Sequence, residues 1–152
     1  MTLEAPLSRS RRINLILYIA ACLVMALWFA YDGYINKSFI TKHTDEQGKA
    51  DSTLVINQKV PPFLLAGAAL FGIRLFAIRG KKVVAEENEL VVAGRERISY
   101  DAIDRIDKTY FEKKGFFTII YKKDGREIER KLSDRDYDKL NPILDHLIAK
   151  IT

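Results

Sequence analysis

The chain has 152 residues, is 48% hydrophobic and carries a formal net charge of +5, enough for one ordinary domain or for a smaller domain with membrane spans. The charge is not a nucleic-acid footprint: Arg9, Arg11 and Arg12 against Glu4, and then Arg74 with Arg79, put four of the five net charges beside two apolar blocks, as membrane topology does. A lone cysteine, Cys22, excludes an intramolecular disulfide.

In chain order, residues 1–12 read as a basic N-terminal segment. Residues 13–31 then run without a charge. At 1.5 Å rise per residue they make about 28 Å of helix, close to the ~30 Å hydrocarbon core. Trp28 and Tyr31 fall at the far end, where amphipathic rings favour the interface. The block is longer than a signal-peptide core, and no small-x-small cleavage site closes it. Ile19-Ala20-Ala21-Cys22 is similar to a lipobox, but the sequence stays apolar after the cysteine, so a buried thiol is expected instead. Ser10-Arg11-Arg12 reads as a plain basic flank.

Residues 32–59 form a polar connecting loop. Lys42 to Ser52 reads as flexible, and Leu54-Val55-Ile56 as a short strand or a membrane-surface segment. His43 is expected to be solvated. The second apolar block, 60–78, has Pro61 and Pro62 at its start, where a missing donor costs least. Its only charge is Arg74, near the end, whose stem can snorkel toward Arg79, Lys81 and Lys82. Positive charge gathers before the first block, at Arg11 and Arg12, and after the second, at Arg74, Arg79, Lys81 and Lys82. The positive-inside rule therefore predicts two spans with both termini cytoplasmic and the 32–59 loop outside. Cys22, Ala26 and Ala30, and likewise Ala68 and Gly72, make small-residue stripes at four-residue spacing, suited to a hairpin contact or a homodimer seam.

Residues 80–152 change to period two, the pattern of half-buried strands. Six short strands are expected: Lys82 to Glu86, Glu89 to Ala93, Arg95 to Ser99, Ile103 toward Phe111, Phe116 to Tyr121, and Arg126 to Leu132. Tyr100 to Ile103 reads as a turn, and Asp124-Gly125 as a tight hairpin. Tyr137, Leu140, Ile143, Leu144, Leu147, Ile148 and Ile151 follow at helical spacing. Ser133 with Asp136 can cap that helix. Alternatively the helix starts at Asn141, with Pro142 in its first turn. The fold class predicted is α+β: a two-helix transmembrane hairpin, then a bent antiparallel sheet or barrel capped by a C-terminal amphipathic helix.

The run Glu89-Leu90-Val91-Val92, the stretch Ile98 to Asp107 with its I-x-Y-x-x-I-x-x-I spacing, the Phe116 strand, the Asp124-Gly125 hairpin and the terminal helix resemble the bacterial pleckstrin-homology-like (PH-like) domains found beside pairs of transmembrane helices. The resemblance covers residues 81–151. It implies a membrane-tethered adaptor of the bacterial cytoplasmic (inner) membrane, working in a membrane complex. Eukaryotic relatives of this fold often bind phosphoinositides through Lys and Arg at the first hairpin. Here that hairpin carries Glu86, Glu87 and Glu89, which repel a phosphorylated headgroup.

The basic residues of two turns, Lys113 and Lys114 with Lys122, Lys123 and Arg126, are the candidate lipid or partner contacts. No catalytic site is expected. His146 beside Asp145 reads as a helix-surface histidine without a nucleophile. Asp104 with Asp107, and Asp134 with Asp136 and Asp138, lack calcium-loop spacing. Neither a cofactor nor a metal, a nucleic acid nor a small-molecule substrate is expected. The partners expected are the lipid bilayer and another membrane protein or a second copy. Three functions follow: an adaptor of a membrane complex, a sensor of anionic lipid, or an oligomeric transporter or channel subunit built around Arg74.

Overall fold

The computed structural model describes residues 2–152. They cluster into two units: Ile13–Ala77, and the chain up to Arg12 together with Ile78–Thr152.

The first unit is an antiparallel helical hairpin. Helix α1 spans Arg9–Ala30 and continues through a π-helical turn, Tyr31–Ile35. A short helix α2, Lys37–Lys42, is capped by the Asn36 side chain, which accepts from the Phe39 amide. Helix α3 spans Ser52–Ile78. It starts eight residues before the second apolar block because Asp51 caps it, accepting from the Leu54 amide at 2.9 Å. Leu54-Val55-Ile56 is therefore helical and not a strand. The turn between α2 and α3 is held by the Asp45 carboxylate, which accepts from the amides of Gln47 and Lys49.

Pro61 and Pro62 lie inside α3 instead of at its start. Each removes the amide that would pair with the carbonyl four residues back. The carbonyl freed by Pro62 belongs to Gln58, and the Tyr34 hydroxyl donates to it at 2.8 Å. The carbonyl freed by Pro61 belongs to Asn57, and it abuts Gly33: a Cβ at Gly33 would lie 2.8 Å from that oxygen. The Gln58 side chain returns a bond to the Gly33 carbonyl at 3.0 Å. The two prolines are thus accommodated by the facing segment, as happens in spans. Tyr34→Phe is expected to cost the hairpin about 1 kcal/mol by orphaning that carbonyl. Thermal unfolding in micelles, followed through Trp28 fluorescence, reads it; an unchanged midpoint would refute the role given to the hydroxyl.

Along α3 one line of buried and half-buried positions, Leu54, Asn57, Pro61, Leu64, Ala68, Phe71 and Leu75, alternates by three and four, with Gln58, Gly67 and Gly72 half-buried beside it. That is a helix-packing seam. The remaining surface is largely apolar: Leu27, Phe63 and Leu70 are 72%, 76% and 68% exposed. A soluble protein's core helix would be covered, whereas only small fractions of these two are. Both helices are long and apolar enough to cross a membrane.

The second unit holds seven strands. Strands β1 Leu3–Pro6, β2 Lys82–Ala85, β3 Glu89–Val92 and β4 Glu96–Ser99 form one antiparallel sheet in the order β1-β2-β3-β4. A 3-10 turn, Tyr100–Ala102, leads to β5 Ile103–Asp107. One-turn helix α4, Phe111–Lys114, precedes β6 Phe116–Lys123 and β7 Arg126–Ser133. These make the second sheet, β5-β6-β7. The two sheets do not close into a barrel. Asp124 and Gly125 both take positive φ, 52° and 73°, as a primed two-residue hairpin requires.

Strand β1 was not expected. The basic N-terminal segment is part of the sheet: Leu3 pairs with Ala85 and Pro6 with Lys82. Ala5 is buried in the domain core with Val83, Leu90, Ile98, Phe117, Leu132 and Leu147. A cut before Cys22 would delete β1 and leave β2 as a bare edge.

Helix α5, Leu140–Ile151, lays Leu140, Ile143, Leu144 and Leu147 into the same core. Pro142 falls in its first turn, so the shorter of the two expected helices forms. Ser133 caps a tight turn instead, accepting from the Arg135 amide at 3.3 Å. Glu96 ties the sheets together: the Tyr121 hydroxyl donates to Oε1 at 2.6 Å, and Arg130 pairs with Oε2 at 3.2 Å. Burial, then the Glu96 carboxylate, push the Tyr121 phenol up to about 12.

Candidate functional site

The β6–β7 register decides how the candidate cations are distributed. Phe116 pairs with Ser133 at one end, and Lys123 with Arg126 at the other. Seven steps of ~3.4 Å separate the ends by roughly 24 Å. Lys113 and Lys114, just before β6, therefore sit far from Lys122, Lys123 and Arg126 at the hairpin tip. The single basic patch expected from the sequence is two separate groups.

The end near Lys113 gains other cations. Lys131 lies on β7 and Arg135 in the turn after it, and both escaped the sequence reading. With Lys113, Lys114, Phe116 and Ser133 they line a groove of about 450 Å³. Its geometry starts with aromatics. Tyr110 stacks on Phe116, ring centroids 5.6 Å apart. Lys114 Nζ lies 4.7 Å from the Tyr110 centroid and Lys131 Nζ 3.6 Å from that of Phe116. Ring faces hold ammonium groups by their quadrupole without neutralising them. Gly115 ends α4 in the left-handed conformation, φ 68°. The Asp134 carboxylate stands where a Gly115 Cβ would go, and the Asp134 amide donates to the Gly115 carbonyl at 2.8 Å. A side chain at Gly115 would break that junction. The signal that could have grouped these residues is register: Phe116 opposite Ser133 places Lys131 two pairs away, on the same face of the sheet as Ser133.

The membrane-flank residues divide. Arg11 pairs with Asp136, and Lys82 with Glu4 at 2.6 Å. Arg12 and Arg74 are exposed, as is Arg79, and Lys81 is half-buried. The Ser8 amide donates to the Asp136 carbonyl, and the Arg9 amide to the Asp138 carboxylate at 3.0 Å. Asp136 and Asp138 thus clamp the start of α1, where a carboxylate also suits the helix dipole. Among the described residues no three His, Cys, Asp or Glu side chains are grouped to share a metal ion.

Of the span-packing residues, Ala26 and Ala68 are buried, and Cys22 is half-buried. A Cβ on Gly67 would meet the Cys22 sulfur at 3.9 Å. Gly67 was missed from sequence, yet it faces Cys22 across the hairpin at ordinary contact distance. Ala30 and Gly72 are half-buried, and space beside Gly72 is open.

The acidic hairpin between β2 and β3 is tied down by Arg97, which pairs with Glu89 and, at 3.9 Å, with Glu86. His146 is half-buried against the Tyr100 ring, with centroids 5.9 Å apart, and is not a plain surface histidine. His43 Nδ1 lies 2.7 Å from the Asp51 carboxylate. The Leu54 amide, then His43, hold that carboxyl below the usual range. A Thr109 hydrogen bond does the same for Asp107.

No protein family, curated protein or solved structure matches this chain.

Proposed function

We propose that this chain is a membrane-anchored, non-catalytic PH-like adaptor of the bacterial cytoplasmic membrane, an accessory part of a membrane complex. The observation carrying the reading is the pairing of β1 with β2. These strands precede and follow the helical hairpin, so the folded domain is joined to the hairpin by both of its ends. A two-point tether leaves less orientational freedom to lose on binding a partner than a single linker does. Four strands in one sheet, three in a second and a C-terminal helix packed in the shared core support the PH-like assignment. Two strands that pair must lie on one side of a bilayer crossed twice, which supports termini on the same side. The flanking arginines and lysines make that side the cytoplasm.

In-cell crosslinking followed by mass spectrometry tests the adaptor role, comparing the full chain with one ending at Arg79. One membrane complex is expected with the full chain and not with the shortened one. Recovery of lipid and self-contacts alone would refute the adaptor reading. For the orientation, a phosphatase fused at the C-terminus is expected to be inactive and one inserted near Gly48 active. The opposite pattern would overturn the topology.

A further inference from the structure

We propose that the groove formed by Lys113, Lys114, Lys131, Ser133 and Arg135 is a binding site for a phosphate-bearing anion. The inference stands apart from the adaptor reading and rests on three observations. First, cations are concentrated there. Residues 80–152 hold 16 Lys or Arg against 15 Asp or Glu, so the domain as a whole is nearly balanced. Yet among the described residues none of these four cations has a carboxylate within 4.0 Å. Elsewhere in the same domain Arg11, Lys82, Arg97 and Arg130 are paired; among the described residues Lys122, Lys123 and Arg126 at the hairpin tip are not, so the groove is set apart by its aromatic seat as well as by its free cations. Like charges lining one groove repel, and a bound anion would relieve that cost.

Second, the groove is preorganised. Two of the three ammonium groups rest on the stacked Tyr110 and Phe116 rings, which limits the rotamer freedom lost on binding. The strand register fixes Lys131 and Ser133, and the turn capped by Ser133 Oγ fixes the Arg135 backbone. That oxygen accepts from the Arg135 amide, so its own proton is available to donate to an anion.

Third, the donor set matches phosphate. A guanidinium offers a planar fork to two oxygens, ammonium groups act as point charges, and a hydroxyl fills a remaining lone pair. A volume of about 450 Å³ accommodates a headgroup-sized ligand. Asp134, next to Ser133 in the chain, stands against Gly115, and neither it nor Glu112 lines the groove. A phosphorylated lipid headgroup and a soluble phosphomonoester share this chemistry. Arg135 adjoins Asp136, which holds Arg11 two residues before the uncharged run begins.

The test uses the full chain in uncharged detergent micelles. It is titrated separately with short-chain phosphatidic acid and with glycerol 3-phosphate, and binding is read from heat and from amide shifts of Lys131, Ser133 and Arg135. Saturable binding of at least one is expected. Lipid alone would identify a headgroup site, and both would identify a site for the phosphate itself. The paired substitution Lys131→Gln with Arg135→Gln is expected to weaken binding roughly thirtyfold. Lys122→Gln with Lys123→Gln, at the far hairpin tip, is expected to change it by less than about twofold. Unchanged hydrogen-exchange protection of β6 and β7 shows that the variants fold. Binding of neither ligand, or equal losses from both pairs of substitutions, would overturn the proposal.

Discussion

Ala5→Asp is expected to unfold the strand-rich domain while leaving the two apolar helices in the membrane. Ala5 is 0% exposed and lies in the core, paired with Val83. A carboxylate there would be taken out of water with no partner among Val83, Leu90 and Leu147. The penalty is at least about 3–5 kcal/mol, against a total stability of about 5–15 kcal/mol for a domain. Glu4, the next residue, points outward and pairs with Lys82, both about half-exposed; Glu4→Gln is expected to cost under about 1 kcal/mol. Amide exchange at Val83–Ala85 and Leu90–Val92 reads the difference, with alkaline extraction confirming that the hairpin stays inserted. Full protection in Ala5→Asp would mean that β1 is not part of the core.

Phe117→Ala should have a comparable effect for a different reason. Phe117 is 0% exposed, the largest of the fully buried side chains, and meets Phe111 edge-on with centroids 5.5 Å apart. Removing the ring forfeits its transfer free energy and leaves a cavity that a close-packed core cannot refill, about 3–5 kcal/mol. Ile128, on the neighbouring strand and only partly buried, is the internal comparison: Ile128→Val is expected to cost under about 1 kcal/mol. Urea unfolding of the full chain in detergent, followed by far-ultraviolet circular dichroism, measures both. A loss below about 1 kcal/mol at Phe117 would remove β6 from the centre of the domain.

The sequence is most informative where structure depends on near neighbours. Alternation of apolar residues located β2 through β7, though β5 ends at Asp107 and Phe111, expected at its end, opens α4 instead; the Asp124-Gly125 pair placed the hairpin turn, because both signals depend on side chains two to four positions apart. The same local rule left the start of α3 undetected. Asp51 caps that helix ahead of a polar stretch, and Pro61 and Pro62 look like a beginning until Tyr34 and Gly33 are brought against them. Strand β1 carries a faint alternation, Leu3-Glu4-Ala5-Pro6-Leu7, but four residues make a strand only when a partner exists. That partner is distant: Lys82 and Glu4 are 78 positions apart along the chain. The cationic groove fails the same way. Lys113 and Arg135 meet through strand register, so adjacency suggested Lys122 and Lys123, which the hairpin carries to its other end.

The placement of β1 also sets an order of events during synthesis. The ribosome delivers this strand first, then both apolar helices, and only afterwards the strand it must pair with. At about 5–20 residues per second, roughly 4–16 seconds pass before Lys82 follows Glu4 out of the exit tunnel. Throughout that interval Leu3, Ala5 and Leu7 have no sheet to join, while the whole helical hairpin is being made. Closure of the domain therefore follows synthesis of the hairpin, and a nascent chain stalled after the second helix would display an orphan strand to whichever chaperone or protease reaches it first.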